Sequence, residues 1–465
     1  MAVALTDRVD AAAADAIVTI DALAAEFEAL NREIWHWAEP SLLEFRSSDR
    51  LAGFLEAQGF RVARGVADMP TAFIAEWGEG EPAIGILAEY DALPGLSQKV
   101  QTTQEPLAAG AHGHGCGHSV YGVACSIAGV AARRAMEKHG IAGRIRVYGC
   151  PAEELLVGKV YMARAGVFND LAAAISWHPS DKTRVMLGRS KAMVSVRYAF
   201  AGVASHASVS PHEGRSALDA VELMNVAVNY MREHIKEDAR IHYVITEGGV
   251  QPNVVPPHAA VWYYIRADRH EDVEEYLAWV DGIADAAARM SRTSLVERKI
   301  DTDCHELIPN RVIGGILDRA LRRAGPPGFG AAERQFAAQI RQTLPNRRSA
   351  VDLNDEILLL EEGKTSGGST DIGDVSWQVP TEQFVAATHV ADCPGHSWQI
   401  TACTGTSIGE KGGMVAAKTM AGATLELLVN ADARDKAWQE FRDRRGSAPY
   451  RLLIPEDQKP PIPPH

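Results

Sequence analysis

Between residues 72 and 178 the chain alternates between short apolar runs and helical segments, and this alternation narrows the fold more than any other feature. The runs AFIAEW and AIGILAEY are bounded by glycine and proline, as buried strands are. SVYGVACSIAGVAARRAMEKHG then reads as a helix stopped by Gly140, GRIRVYG as a strand, EELLVGKVYMARAG as a helix and LAAAISWH as a strand. Strands and helices in this order predict an α/β domain, a mostly parallel central sheet covered on both faces. The first sixty residues add amphipathic helix, with Ile20, Leu23, Phe27 and Leu30 near helical spacing.

Near residue 190 the texture changes. AMVSVRYAFAG alternates at period two, a long helix covers about 214 to 236, HYVITEGG and AAVWYYIRA alternate again, and EDVEEYLAWVDGIADAAARMS is a second helix. This order suits a small antiparallel sheet with two helices on one face, an α+β, ferredoxin-like unit inserted into the first domain. At 465 residues the chain exceeds one compact core. The expected division is a discontinuous domain at 1–189 and 302–465, with the insertion at 190–301. Residues 326–366 are charged and irregular in pattern, and no element is assigned there. The tail PEDQKPPIPPH is proline-rich and expected to run over the surface.

The net charge of −13 argues against a nucleic-acid backbone or an anionic membrane as partner. It leaves a small-molecule substrate open, because a local pocket can differ from the surface. Six scattered cysteines without framework spacing point to reduced thiols. Asp7, Asp10 and Asp15 stand where a signal peptide would carry basic residues, so a cytoplasmic location is expected.

Several strand-like runs end in residues able to do chemistry. ILAEYDALPG ends at Glu89 and Asp91, IRVYGCPAEE at Glu153 and Glu154, and AAAISWHPS at His178. The loop AAGAHGHGCGHS, which carries Cys116 and His118, also follows the first of these strands and opens a helix. In an open parallel sheet the carboxyl ends of the strands share one rim, which gathers Asp91, Cys116, His118, Glu153, Glu154 and His178. Thiolate, imidazole and carboxylate suit a borderline divalent ion such as zinc, manganese or nickel. The adjacent glutamates repel unless a cation accepts one of them. One is then free to bind metal while the other handles the proton of the attacking water.

The ordered series AEYDALPG, GAHGHGCGHS, GCPAEE, ISWHPS, GVASHASVSPHEGRSALDA, QPNVVPPHAAVWYYIRADR, GSTDIGDVSW and CPGHSWQ resembles the metallopeptidase and amidohydrolase family of aminoacylase-1 and glutamate carboxypeptidase, the M20 peptidases. The branch it is most similar to is that of the B-type subunit of aminobenzoyl-glutamate hydrolase. The resemblance spans about residues 25 to 430. It implies a zinc-peptidase-like catalytic domain, an inserted lid that dimerises, and two divalent ions per subunit, zinc or manganese. Their ligands would be Cys116, His118, Glu154, His178 and His396, with Cys116 bridging. Glu153 would be the general base, and Asp91 would orient a ligand. His206, Asn253 and Arg266 fall in the lid motifs, and His206 would reach the active site of the partner subunit.

The implied reaction is hydrolysis of the amide bond of an N-acyl or N-aroyl amino acid, or of a small dipeptide-like substrate such as aminobenzoyl-glutamate. Hydrolytic removal of an amino group from an aromatic ring, and a catalytically silent assembly subunit, are the alternatives. The resemblance further implies a homo-oligomer, at least a dimer, and admits a related partner subunit.

Two positions depart from the family. Glu89 stands where the peptidase branch has a ligand histidine, and Ser119 where amidohydrolases carry aspartate or asparagine. Other conspicuous residues have plainer readings. His112 and His114 are expected to orient neighbours, and His212 and His258 to lie on the surface. Cys125, Cys150, Cys304 and Cys403 read as structural, with Cys393 near the site. Asp371 and Asp374 read as helix-start caps or as part of a substrate wall. Trp177 and Trp398 read as core, with an aromatic wall as the alternative.

Overall fold

The computed structural model describes residues 2–463. In chain order the strands are β1 (Arg61–Arg64), β2 (Phe73–Glu79), β3 (Ala83–Ala88), β4 (Gly143–Gly149), β5 (Ala173–Ser180), β6 (Arg184–Arg189), β7 (Ala192–Ala201), β8 (Arg240–Glu247), β9 (His258–Ala267), β10 (Ser294–Cys304), β11 (Glu361–Thr365) and β12 (Thr381–Ala387). Eight of them form one mostly parallel sheet in the order β1-β2-β4-β3-β5-β12-β6-β11. Its centre, β4-β3-β5-β12, is parallel throughout, and antiparallel pairs flank it. Every residue of β3 is buried, as a strand covered on both faces must be. One face carries the helices His118–His139, Ser407–Val429, Ala2–Ala22 and Arg311–Ala324, which enclose a single apolar core. Gly140 ends the first of these at φ 58°, its amide bonded to Met136 O.

The second sheet is antiparallel in the order β10-β7-β9-β8. With the helices Ala217–Met231 and His270–Ser291 inserted after its first and third strands, it has the ferredoxin-like topology. The burial of β9 alternates along its length, one face packed against these helices. Ser216 caps the first helix by accepting the amide of Asp219 at 3.1 Å. The core on the second face of the large sheet continues without a break into this small sheet.

Three expectations need correction. Residues 326–366 hold a helix, Ala331–Gln342, as well as β11. The segment EELLVGKVYMARAG is not one helix but a turn of 3-10 helix at Glu153–Leu155 followed by the helix Gly158–Arg164. The tail is also more than a surface run. Gln458 donates to the carbonyl of Ile300 on β10 at 2.7 Å, and Arg164 donates to the carbonyls of Pro455 and Gln458, so the tail ties the small sheet to the helix Gly158–Arg164. Among the described residues no helix is long and apolar enough to cross a membrane, and all six cysteines are free.

Candidate metal centre

The carboxyl ends of the parallel strands β3, β4, β5 and β12 open onto one rim. β3 delivers Glu89 and Asp91, β4 the Glu153–Glu154 turn, β5 His178, and the loop after β12 His396. Cys116 precedes the first residue of the helix that begins at His118. Between them Gly117 adopts φ 87°, and a Cβ there would stand 2.8 Å from Pro179, so only glycine suits the bend. The glutamate turn is bracketed by Ala152 and Leu156, both at φ 55°, and His396 is also left-handed at φ 55°. Non-glycine residues held there cost on the order of 1–3 kcal/mol each and gather where geometry must be exact to work. Gly158 closes the turn, since a Cβ would lie 1.9 Å from Pro151 O.

Hydrogen bonds fix which ring nitrogens face the rim. His118 Nδ1 donates to Asp91 Oδ1 at 2.8 Å, and Asp91 Oδ2 accepts from Ser41 at 2.7 Å and from the amide of Glu154 at 3.0 Å. His178 Nδ1 donates to Pro179 O at 2.8 Å. The Nε2 atoms are therefore left for the site. That of His178 lies 3.4 Å from Cys116 Sγ, and that of His396 lies 3.4 Å from Glu154 Oε2. Three sets of ligand-capable atoms result, each within 4.8 Å of one another, and two of them are Cys116–His118–His178 and Cys116–Glu154–His396. Cys116 belongs to both.

The electrostatics fit a cation. Burial, with the charges of Glu89 and Glu154, holds the Glu153 carboxyl well above its ordinary range. Burial raises Glu154 to about 7 and drives the Cys116 thiol up. Burial and the charge of His118 lower His178 to about 4. Against its own burial, Asp91 is held down to about 2 by the hydrogen bond and charge of His118. His118 Nε2 and Glu154 Oε1 are buried without a hydrogen-bond partner among the described residues. Orphaned donor atoms, carboxyls and a thiol short of positive charge, and a mixed sulfur, nitrogen and oxygen set all suit zinc or manganese.

Arg266 on β9 reaches over this rim and donates to Ser369 at 3.0 Å. With Tyr264, Gly368 and Met193 it encloses a cavity of about 240 Å³ that also contains Cys116, Glu153, Glu154 and His396. A neighbouring cavity of about 410 Å³ shares Gly368 and Ser369, opens at His178, and has Phe384, Leu187 and Leu307 among its walls.

His206 and Asn253 are elsewhere. They sit side by side on the exposed end of the small sheet, with Ala207 N donating to Asn253 O at 2.9 Å, and neither lines either cavity. His114 is buried and hydrogen-bonds Ile34 O, while His212 and His258 are exposed. Trp177 is core, its indole donating to Tyr121 O, and Trp398 packs against a separate apolar cluster. An aromatic ring that does line the smaller cavity is Tyr264. Asp371 caps no amide of its own helix. It accepts the amide of Lys159 at 2.8 Å, from a different helix. Lys159 itself escaped the sequence reading, although a lone lysine inside the apolar stretch LLVGKVYMA was a signal.

The chain matches the peptidase dimerisation domain family over residues 189–290. It is 39% identical over 454 residues to the B-type subunit of the p-aminobenzoyl-glutamate hydrolase of Escherichia coli, covering 92% of this chain and 94% of that protein. The Xaa-Arg dipeptidase of Mus musculus is 28% identical over 438 residues, covering 91% and 90%. A dinuclear metal binding peptidase of the M20 family from Bacillus subtilis shares the fold with a TM-score of 0.57 at 17% identity, covering 88% of this chain and 99% of that one.

Proposed function

The chain belongs to the M20 peptidase family of hydrolases, and from that premise we propose that it cleaves the amide bond of an N-acyl or N-aroyl amino acid, or of a dipeptide-like substrate such as aminobenzoyl-glutamate. The observation that carries this reading is the pair of ligand sets sharing Cys116, with Glu153 beside them and outside both. Cys116, His118 and His178 would hold one divalent ion, and Cys116, Glu154 and His396 the other. Zinc or manganese bound there would polarise the scissile carbonyl and acidify water.

The remaining work belongs to side chains. Asp91 fixes the ring of His118 so that Nε2 faces the rim. Glu153, whose burial raises its affinity for a proton, is suited, once ionised beside bound cations, to take a proton from water and return it to the leaving nitrogen. Arg266 offers a guanidinium to a substrate carboxylate or carbonyl within the cavity. The larger apolar-walled cavity next to it has room for the acyl or aroyl group.

The small sheet is the proposed dimerisation lid. Its edge strand β8 exposes Val244 and Ile245, and the adjoining helix exposes Tyr230 at 75%. An apolar edge of this kind is covered in a soluble protein, and pairing with a second copy covers it.

The test is an assay of the purified chain with zinc or manganese on aminobenzoyl-glutamate, N-acyl amino acids and dipeptides. Hydrolysis that a chelator removes and either ion restores is the expected result. No hydrolysis of any of these by the metal-loaded dimer would overturn the proposal.

Alkylation offers a second check. Cys116 is expected to react slowly in the metal-loaded protein and faster after chelation, because a coordinated thiolate is occupied. Equal rates in both forms, read by peptide mass spectrometry, would show a thiol that is merely buried.

A further inference from the structure

Lys159 is wholly buried, an unusual place for an ammonium. It lies 2.6 Å from Asp371 Oδ1 and 2.7 Å from Glu89 Oε1, and both carboxylates are themselves wholly buried. One cation between two anions leaves the triad an excess negative charge in a dry place. Buried charge sets of this kind are poor devices for stability alone, since apolar residues of the same volume serve as well.

The triad adjoins the metal centre through Glu89. While one of its oxygens meets Lys159, the other lies 3.4 Å from His118 Nε2, and Glu153 Oε2 lies 3.9 Å from the same nitrogen. Glu89, His118 and Glu153 thus form a third set of ligand-capable atoms within 4.8 Å of one another. Of these three only His118 also belongs to another set, that of Cys116 and His178, so an additional ion here would be held by the carboxylates of Glu89 and Glu153. A carboxylate that binds metal is no longer free to carry protons.

We propose that Lys159 is a positioning residue that acts as a fixed cation, satisfying Glu89 and Asp371 so that no additional divalent ion settles between the carboxylates of Glu89 and Glu153. It thereby leaves Glu153 outside the coordination. The role rests on the two-ion site proposed above.

The test counts ions. Apo-protein is titrated with manganese, and the tightly bound equivalents are measured by metal analysis after desalting. The parent is expected to hold two per chain, and Lys159→Met three, the extra one favoured by two carboxylates. Excess manganese then inhibits Lys159→Met and not the parent, because Glu153 has been captured. Adding Glu89→Gln to Lys159→Met removes both the extra ion and the inhibition. Should Lys159→Met not fold, Lys159→Met with Asp371→Asn restores the parental net charge of the triad and retains Glu89, His118 and Glu153, so the extra ion is expected there too. Two ions in these variants would overturn the proposal. Fewer than two in the parent would overturn the two-ion reading, and this one with it.

Discussion

Glu153→Gln is expected to lower turnover by about 10²–10⁴-fold, the usual contribution of a general acid–base group, with metal content and fold unchanged. The amide keeps the size and much of the hydrogen bonding of the carboxyl but cannot carry the proton. Metal content should hold because neither set that shares Cys116 includes Glu153. The fold should hold because replacing a buried carboxyl crowded by Glu89 and Glu154 with a neutral group relieves repulsion. Activity assays beside metal analysis and a thermal melt separate these effects. Near-parental activity would remove Glu153 from the chemistry, and lost metal would make it a ligand instead.

Mixing two inactive variants is expected to restore activity. His206 lies outside its own subunit's cavity, next to Asn253 and near Val203 and Val209, which are exposed at 51% and 74%. If the lids pair through β8, each His206 can serve the site of its neighbour. His206→Ala and Glu153→Gln should then each be nearly silent alone. After subunit exchange, half of the dimers are mixed and each mixed dimer has one intact site, so about a quarter of all sites recover. Recovery is read from the rate after co-incubation, with exchange followed by mass or by a fluorescent label. Exchange without recovery would confine His206 to its own subunit or place it outside the reaction.

The parallel sheet and the period-two strands of the lid were legible because hydrophobic spacing is a local signal. The rim could also be anticipated, since Asp91, Glu153 and His178 follow strand ends and a parallel sheet aligns those ends. Lys159 was not legible. A lysine near a helix start reads as solvated, and its burial is decided by Asp371, 212 residues away. Asp371 misled for the same reason, since it serves the amide of Lys159 rather than its own helix. The helix Ala331–Gln342 was hidden because it buries few side chains, among them Ala337 and Ile340, too few to mark a period.

The order of the central strands bears on how the molecule is made. β12 pairs with β5 in the middle of the large sheet, Phe384 opposite Trp177, yet the whole of the small sheet is synthesised between them. The lid's strands find each other within one stretch of chain, whereas β5 must wait with an unpaired edge for β12. Loop-closure entropy makes such distant pairing slow, and an apolar edge left open meanwhile is prone to aggregation. The proposed metal centre, which would take His396 from beyond β12, is accordingly among the last parts to form. A chain cut short before that strand would carry a finished lid and an open half-sheet, fit for a chaperone and not yet for catalysis.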